Sequence, residues 1–136
     1  MTIVTLQPDP EQIVRQYYQL LNDKQPEKAA PLLTDDVVRI GVVGPDAPPK
    51  LTQGKEQLLA RIRRMVEDNG SAIVNNLRVD GDTVTCLVQI STDTGRREGV
   101  APLEETAEFL IERGKIKSYR VVSTPESVAK LKAIGQ

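Results

Sequence analysis

The stretch EQIVRQYYQLLNDKQPEKAAPLLTDDVV, residues 11–38, sets out the start of the fold. Just before it, Asp9 and Pro10 are typical of a helix start, because aspartate caps free backbone N–H groups and proline suits the first helical position. Apolar residues then recur at helical spacing as far as Leu21, which predicts an amphipathic helix. Pro26 opens a second, short helix, and β-branched residues over 37–43 predict a strand.

The rest of the chain adds one long helix and then a run of strands. A proline-rich loop over 44–54 leads to a helix over 55–70, which Asn69-Gly70 ends. Strands over 71–79 and 83–91 flank Asp80-Gly81-Asp82, a strong hairpin signal. After a polar turn, strands over 105–112 and 115–122 meet at Arg113-Gly114, and Thr124 with Pro125 begins a terminal helix.

This order of elements predicts the fold class. Consecutive strands joined by hairpin turns form a mostly antiparallel sheet, so the class is α+β. The sheet must wrap the apolar faces of the long helices, and a strongly curved sheet closing over helices makes a cone. We therefore expect a single domain over residues 1–136, cone-shaped, with a cavity between sheet and helices.

Composition excludes several classes of function. The formal net charge is -1, from 18 basic and 19 acidic residues, so no nucleic-acid partner is expected. The densest basic groups, RIRR (61–64) and GRR (95–97), are interpreted as solvated faces. No apolar run reaches the length of a membrane span, and no signal peptide is evident at the start, so we expect a cytoplasmic protein with no membrane partner.

The chain contains no histidine and one cysteine. The lack of histidine removes histidine-based metal sites, histidine general bases, and Ser-His or Cys-His nucleophile pairs. Cys86 has no partner for an internal disulfide, and we interpret it as an inert packed residue. No metal and no cofactor is predicted.

Three segments carry a resemblance to a known family. The opening stretch, the segment QGKEQLLARIRRM (53–65) and the closing hairpin AEFLIERGKIKSYRVV (107–122) resemble the NTF2-like superfamily, in its SnoaL-like and ketosteroid-isomerase-like branches. The resemblance covers roughly residues 8–132. It implies a cone-shaped α+β barrel, a pocket between sheet and helices, and often a homodimer, but no single function.

The catalytic residues that the resemblance implies are mostly absent. Isomerases of this kind use a tyrosine on the first helix, which matches Tyr17, but their base aspartate falls near Gly41 and their second acid at Ala107. Relatives resembling limonene-epoxide hydrolases place an acid where this chain has Val121. Dehydratase-like and cyclase-like relatives need histidine, and carotenoid-binding relatives need a tryptophan that this chain lacks. The general bases are therefore missing at their usual positions.

Alternation on the strands and the family register predict which residues line the pocket. Tyr17 is either a core aromatic or a hydrogen-bonding pocket residue, and Tyr18, about 100° round the helix, is expected to face elsewhere. Gln89 is the best further polar candidate, because a buried glutamine needs partners. The predicted ligand-binding residues are Tyr17, Ile62, Met65, Leu87, Gln89, Phe109, Tyr119 and Val121.

The strand over 83–91 also predicts the assembly. Its one face (Val84, Cys86, Val88, Ile90) is wholly apolar and its other face is mixed. If the mixed face lines the cavity, the apolar face must be covered by a second copy of the chain. We therefore expect a homodimer.

Three functions follow as hypotheses. The first is binding of a small apolar ligand without the usual catalytic bases, so that the sequence favours no catalysis. The second is an isomerase, hydrolase or cyclase that uses Tyr17 and a displaced acid, Glu105 or Glu108. The third is a dimeric interaction module whose cavity is filled by side chains.

Overall fold

The computed structural model describes residues 9–134, which form four α-helices, one short 3-10 helix and six strands. The elements in chain order are α1 (Pro10–Asn22), the 3-10 helix (Pro26–Leu32), β1 (Leu33–Val42), β2 (Lys50–Gln53), α2 (Lys55–Glu67), β3 (Ser71–Asp80), β4 (Thr83–Ser91), α3 (Asp93–Arg97), β5 (Leu103–Glu112), β6 (Lys115–Ser123) and α4 (Pro125–Ile134). The expectation of no signal peptide falls mainly on residues 1–8, outside the described part. Within residues 9–134, no helix is long and apolar enough to cross a membrane.

Local sequence signals place most helix and strand boundaries. The Asp9 carboxylate accepts a hydrogen bond from the Gln12 N–H at 2.8 Å and so caps α1 as predicted. The second helix is 3-10 rather than α, and Pro31 lies inside it, where its missing N–H cannot extend an α-helical ladder. Two short elements were not predicted: β2 inside the expected proline-rich loop, and α3 inside the expected polar turn.

The six strands form one curved, unclosed sheet in the order β2-β1-β6-β5-β4-β3. The hairpins β3–β4 and β5–β6 are antiparallel, as the turn signals predict. Arg113 and Gly114 both have positive φ, the conformation that two-residue hairpin turns of this hand need. β1 instead pairs in parallel with β6, which brings the start of the chain beside its last strand. The α+β class with a curved, mostly antiparallel sheet is thus confirmed.

Helix α1 lies on the concave face of the sheet, and its end is tied to an edge strand. The Asn22 side chain accepts from the Ala72 N–H at 2.7 Å and donates to the Ala72 carbonyl at 2.9 Å. These two bonds occupy backbone groups on the outer edge of β3, beside which residues 9–134 place no further strand. Ile13 and Val14 on α1 are fully buried against the sheet.

The predicted orientation of β4 is wrong. Val84, Cys86 and Val88 are buried in the core beneath α1, whereas Thr85, Leu87 and Gln89 alternate to the outer, convex face. The physical reason is that one face of an antiparallel sheet packs on the core and the other meets water, so the wholly apolar face is the inner one. The apolar stripe therefore needs no second chain to cover it.

Candidate functional site

The aromatic side chains of the protein meet in one cluster beneath α1. The sequence contains three tyrosines, one phenylalanine and no tryptophan, and all four aromatic rings belong to this cluster. The Phe109 ring stacks on the Tyr119 ring with centroids 4.6 Å apart, and Tyr17 and Tyr18 meet this pair edge-on. The cluster joins α1 to β5 and β6, and its three tyrosines border the candidate site.

The Tyr17 and Tyr119 hydroxyls form a hydrogen bond of 2.6 Å, in which either oxygen can be the donor. Both side chains are only 6% exposed. Burial, followed by the nearby Tyr119 hydroxyl, raises the pKa of Tyr17 well above its ordinary value, and burial also raises the pKa of Tyr119. Both phenols therefore stay neutral near pH 7 and act as hydrogen-bond donors and acceptors.

The expectation that Tyr18 faces elsewhere is wrong. Tyr18 is buried, and its ring meets the Tyr17 ring edge-on at 5.4 Å between centroids. Adjacent helical residues point about 100° apart, but the curved sheet encloses a wider arc of α1 than that. Both tyrosines consequently lie inside the same concavity.

A partly open cavity of about 180 Å³ lies between α1, α2 and the concave face of the sheet. Its apolar wall consists of Leu21, Ile62, Met65, Ile90 and Leu103. The polar residues that border it are the three tyrosines, Arg39, Arg61, Glu104, Glu105 and Ser123. A pocket with an apolar body and a few convergent polar groups is the usual form of a small-molecule site.

Arg39 enters this cavity from β1, where it shares the inner face with Val37 and Gly41. Its side chain is only 9% exposed, and its guanidinium carbon lies 5.9 Å from the centre of the Tyr119 ring. An added Cβ at Gly41 would lie 2.8 Å from Nη1 of Arg39. The guanidinium thus occupies the space that a side chain at Gly41 would fill.

Glu105 and Arg61 approach the cavity from β5 and α2. Burial raises the pKa of the Glu105 carboxyl, an effect that the charges of Arg39 and Arg61 partly oppose. Burial, and next the positive charge of Arg39, lowers the pKa of the Arg61 guanidinium. Within residues 9–134, none of these three residues forms an ion pair with another side chain.

The predicted site residues divide into three groups. Tyr17, Ile62, Met65 and Tyr119 line the cavity together. Phe109 and Val121 are buried on the inner face of the sheet but do not line it. Leu87 and Gln89 lie on the outer face, so the prediction that they face the pocket is wrong, because the inner face of β4 is its apolar one.

Sequence reasoning missed both cavity arginines. The pattern of the RIRR group predicts a solvated face, yet Arg61 lines the cavity while Arg64 is exposed. A signal was present, because Arg61 lies three residues after Leu58 and four before Met65, within the apolar stripe of α2. Arg39 carried a similar signal through its alternation with Val37 and Gly41 on β1.

The sheet register shows where the charged groups lie relative to the expected catalytic positions. Gly41, Val121 and Ala107 occupy one row across β1, β6 and β5, and none can ionise. Arg39 lies two residues before Gly41 on the inner face of β1, and Glu105 lies two residues before Ala107 on the inner face of β5. The ionisable groups of the cavity therefore occupy the neighbouring rows.

The other acid named from the sequence lies outside. Glu108 is exposed on the outer face of β5, opposite Thr85 and Arg120 in the flanking strands. Of the two displaced acids, only Glu105 shares a cavity with Tyr17.

Comparisons with known proteins agree with this architecture. The family model described as a SnoaL-like domain matches residues 14–119. An NTF2-like protein of unknown function from Cytophaga hutchinsonii has 16% identity and a TM-score of 0.71, covering 93% of this chain and 99% of that one. No curated protein matches the chain in sequence.

Two further solved structures have provisional functional descriptions. A protein from Jannaschia sp. CCS1, described provisionally as a SnoaL-like polyketide cyclase, has 17% identity and a TM-score of 0.70, covering 98% of this chain and 96% of that one. A protein from Kribbella flavida, described provisionally as a ketosteroid isomerase, has 18% identity and a TM-score of 0.67, covering 85% and 77%. At these identities the likeness extends to the fold and no further.

Proposed function

The chain belongs to the SnoaL-like domain family, and we propose that this member binds a small, mainly apolar organic molecule in the cavity between its helices and the concave face of its sheet. The observation that carries the proposal is the cavity of about 180 Å³ itself, lined by five aliphatic or thioether side chains and three tyrosines. A filled interior, as the interaction-module hypothesis requires, would leave no such space. Apolar cavities of this size bind small ring compounds.

A binding screen with one blocked variant tests this proposal. Leu103 lines the cavity, and Leu103→Trp would place an indole in it. Leu51→Trp is the matched control, because Leu51 is 56% exposed on strand β2 and does not line the cavity. The screen measures thermal stability with a panel of single-ring and two-ring compounds, since a ligand at ten times its Kd stabilises the folded state by about 1.4 kcal/mol.

We expect at least one compound to stabilise the wild type and Leu51→Trp but not Leu103→Trp. If no compound stabilises the wild type, the chain does not bind molecules of this class. If Leu103→Trp responds like the control, the molecule binds somewhere other than the cavity.

Proton transfer is a second candidate function, favoured by the position of Glu105. Its carboxyl shares the cavity with the Tyr17–Tyr119 pair, and burial raises its pKa towards the range of an effective base. In this scheme the Glu105 carboxylate takes a proton from the carbon next to a ketone. The electron pair moves onto the carbonyl oxygen, and a tyrosine hydroxyl donates a hydrogen bond to the enolate.

Deuterium exchange tests this second function. The wild type should accelerate exchange of the α-protons of cyclohexanone in heavy water, and Glu105→Gln should abolish the acceleration. Glu108→Gln is the control, since Glu108 is exposed on the outer face of the same strand. Equal rates for the wild type and Glu105→Gln would exclude Glu105 as the base.

We also propose a homodimer formed through the outer face of the sheet. Ile73 and Leu110 are 59% and 44% exposed there, and Leu87 and Val122 line a shallow groove between them. Arg120 on β6 and Glu108 on β5 lie opposite each other on the same face, which offers complementary charges to a second copy. A light-scattering mass of one chain at micromolar concentration would contradict the dimer. The cytoplasmic location stays a prediction.

A further inference from the structure

Two arginine side chains line the cavity, and within residues 9–134 neither has a carboxylate at ion-pair distance. The arginines that form ion pairs within residues 9–134 are Arg15, Arg63 and Arg96, and all three lie on the surface. Arg39 is 9% exposed and Arg61 is half-buried, yet both lack such a partner. Removing a guanidinium from water without an acceptor is costly, so a site of this kind favours an anionic ligand.

The free donors of these arginines open onto the cavity. Among residues 9–134, no side-chain nitrogen or oxygen that is fully shielded from solvent lacks a hydrogen-bond partner. The Arg39 donors therefore remain accessible to whatever occupies the cavity. A guanidinium presents two parallel N–H groups in a planar fork that matches a carboxylate.

The position of Arg39 is fixed before any ligand arrives. The Tyr119 ring lies beside its guanidinium, and Gly41 leaves the space that the guanidinium occupies. Neither contact neutralises the charge. A donor held in place without loss of charge binds an anion at a lower entropic cost than a mobile surface arginine.

Glu105 is the other charged residue of the inner wall, and the net charge of that wall is still positive. Arg39 and Arg61 supply two positive charges and Glu105 at most one negative charge. Burial raises the pKa of Glu105 and so weakens that opposing charge. Glu104 also borders the cavity, but it alternates with Glu105 along β5, which directs its side chain to the other face.

The size of the cavity restricts the rest of the ligand. A cavity of about 150 Å³ holds one benzene ring, and this one measures about 180 Å³. One ring and a small polar substituent fit inside, whereas a fused system of several rings would extend through the open side. The apolar wall of Leu21, Ile62 and Met65 suits the ring.

We propose that the cavity selects a single-ring organic acid, whose carboxylate is bound by Arg39 and Arg61 and whose ring packs against the aliphatic wall. This inference rests on the proposed function, because it names the class of molecule that the cavity binds. It adds the requirement for a negative charge, which an apolar pocket alone would not impose.

Paired probes test the requirement for charge. Benzoate and benzamide share a ring and a planar substituent, but only benzoate is charged at pH 7. Binding to the full chain is measured by ligand-observed NMR titration. We expect benzoate to bind at least about tenfold more tightly than benzamide, as charge-assisted hydrogen bonds predict.

Four variants locate the charge effect. Arg39→Gln and Arg61→Gln should each weaken benzoate binding by about tenfold or more and leave benzamide binding nearly unchanged. Arg64→Gln and Arg97→Gln are the controls, because both arginines are exposed and neither lines the cavity. Circular dichroism checks that each variant is folded, and the controls should bind like the wild type.

The outcomes separate this inference from the proposed function. Equal binding of benzoate and benzamide, or benzoate binding that survives both cavity substitutions, overturns the requirement for a carboxylate and leaves small-molecule binding intact. Tighter binding of phenyl phosphate than of benzoate overturns the carboxylate assignment. Failure of both benzoate and benzamide to bind, together with no response in the wider screen, overturns both proposals.

Discussion

Removing either hydroxyl of the Tyr17–Tyr119 pair should destabilise the protein, and removing both should cost little more than removing one. The two oxygens are 2.6 Å apart, and each side chain is 6% exposed. Tyr17→Phe leaves the Tyr119 hydroxyl without its partner, and Tyr119→Phe does the same to Tyr17. An orphaned buried hydroxyl costs roughly 1–3 kcal/mol, so we expect about 1.5 kcal/mol for each single variant.

The double variant carries the decisive information. Replacing both hydroxyls by hydrogen leaves no orphaned polar group, and the ring packing with Phe109 is kept. We therefore expect a total loss of about 1.5 kcal/mol rather than the additive value of about 3 kcal/mol. For a chain of this length, each variant would melt roughly 6 °C below the wild type.

Urea denaturation of the four proteins, followed by circular dichroism, measures the coupling. The wild type, the two single variants and the double variant form a complete double-mutant cycle. Strictly additive losses would refute the reasoning, because they would show that the hydroxyls act independently. Single variants as stable as the wild type would refute it too, since they would show that water from the cavity replaces the lost partner.

Three further predictions concern the cavity and the core. Gly41→Ala should weaken benzoate binding severalfold in an NMR titration with little change in melting temperature, because the new Cβ would lie 2.8 Å from Nη1 of Arg39 and would displace the end of that side chain rather than backbone; unchanged binding would contradict this. Glu105→Gln should gain stability relative to the wild type as the pH rises above about 4.5. Burial raises the pKa of the Glu105 carboxyl, so the wild type loses stability as the pH rises and this buried group ionises, whereas the glutamine stays neutral. Urea titrations between about pH 4 and pH 8 measure the free energy of unfolding of the variant minus that of the wild type. If this difference stays constant or falls as the pH rises, the pKa of Glu105 is not raised in the folded protein. Burial raises the pKa of the Cys86 thiol to about 11, so a thiol reagent at neutral pH should react slowly with the native protein and quickly in denaturant; equal rates would show that the thiol is accessible.

The sequence was sufficient for most local structure. The Asp9-Pro10 start, the apolar spacing of α1, and the turns at Gly81 and Gly114 each depend on nearby residues alone, and the structure confirms them. Elements without a strong local signal were missed. In the described part of the chain, strand β2 pairs with β1 alone, so its backbone hydrogen bonds come from a distant segment.

Part of the candidate site could also be predicted, because its residues lie on periodic elements. Tyr17, Ile62 and Met65 follow the helical apolar stripes, and Tyr119 follows strand alternation, and all four line the cavity. Leu87 and Gln89 were assigned to the wrong face. Alternation shows that two faces differ, but which of them packs inward depends on the helix that covers the sheet.

By itself, then, the sequence determined the main helices and strands, the α+β class and the placement of Tyr17 and Tyr119 at the cavity. Only the tertiary structure decided which charges enter the cavity. Arg39, Arg61 and Glu105 come from a strand, a helix and a second strand far apart in the chain, and no local pattern relates their positions. Whether an arginine reaches solvent or a cavity depends on what packs around its stem, which the curvature of the sheet and the parallel pairing of β1 with β6 decide.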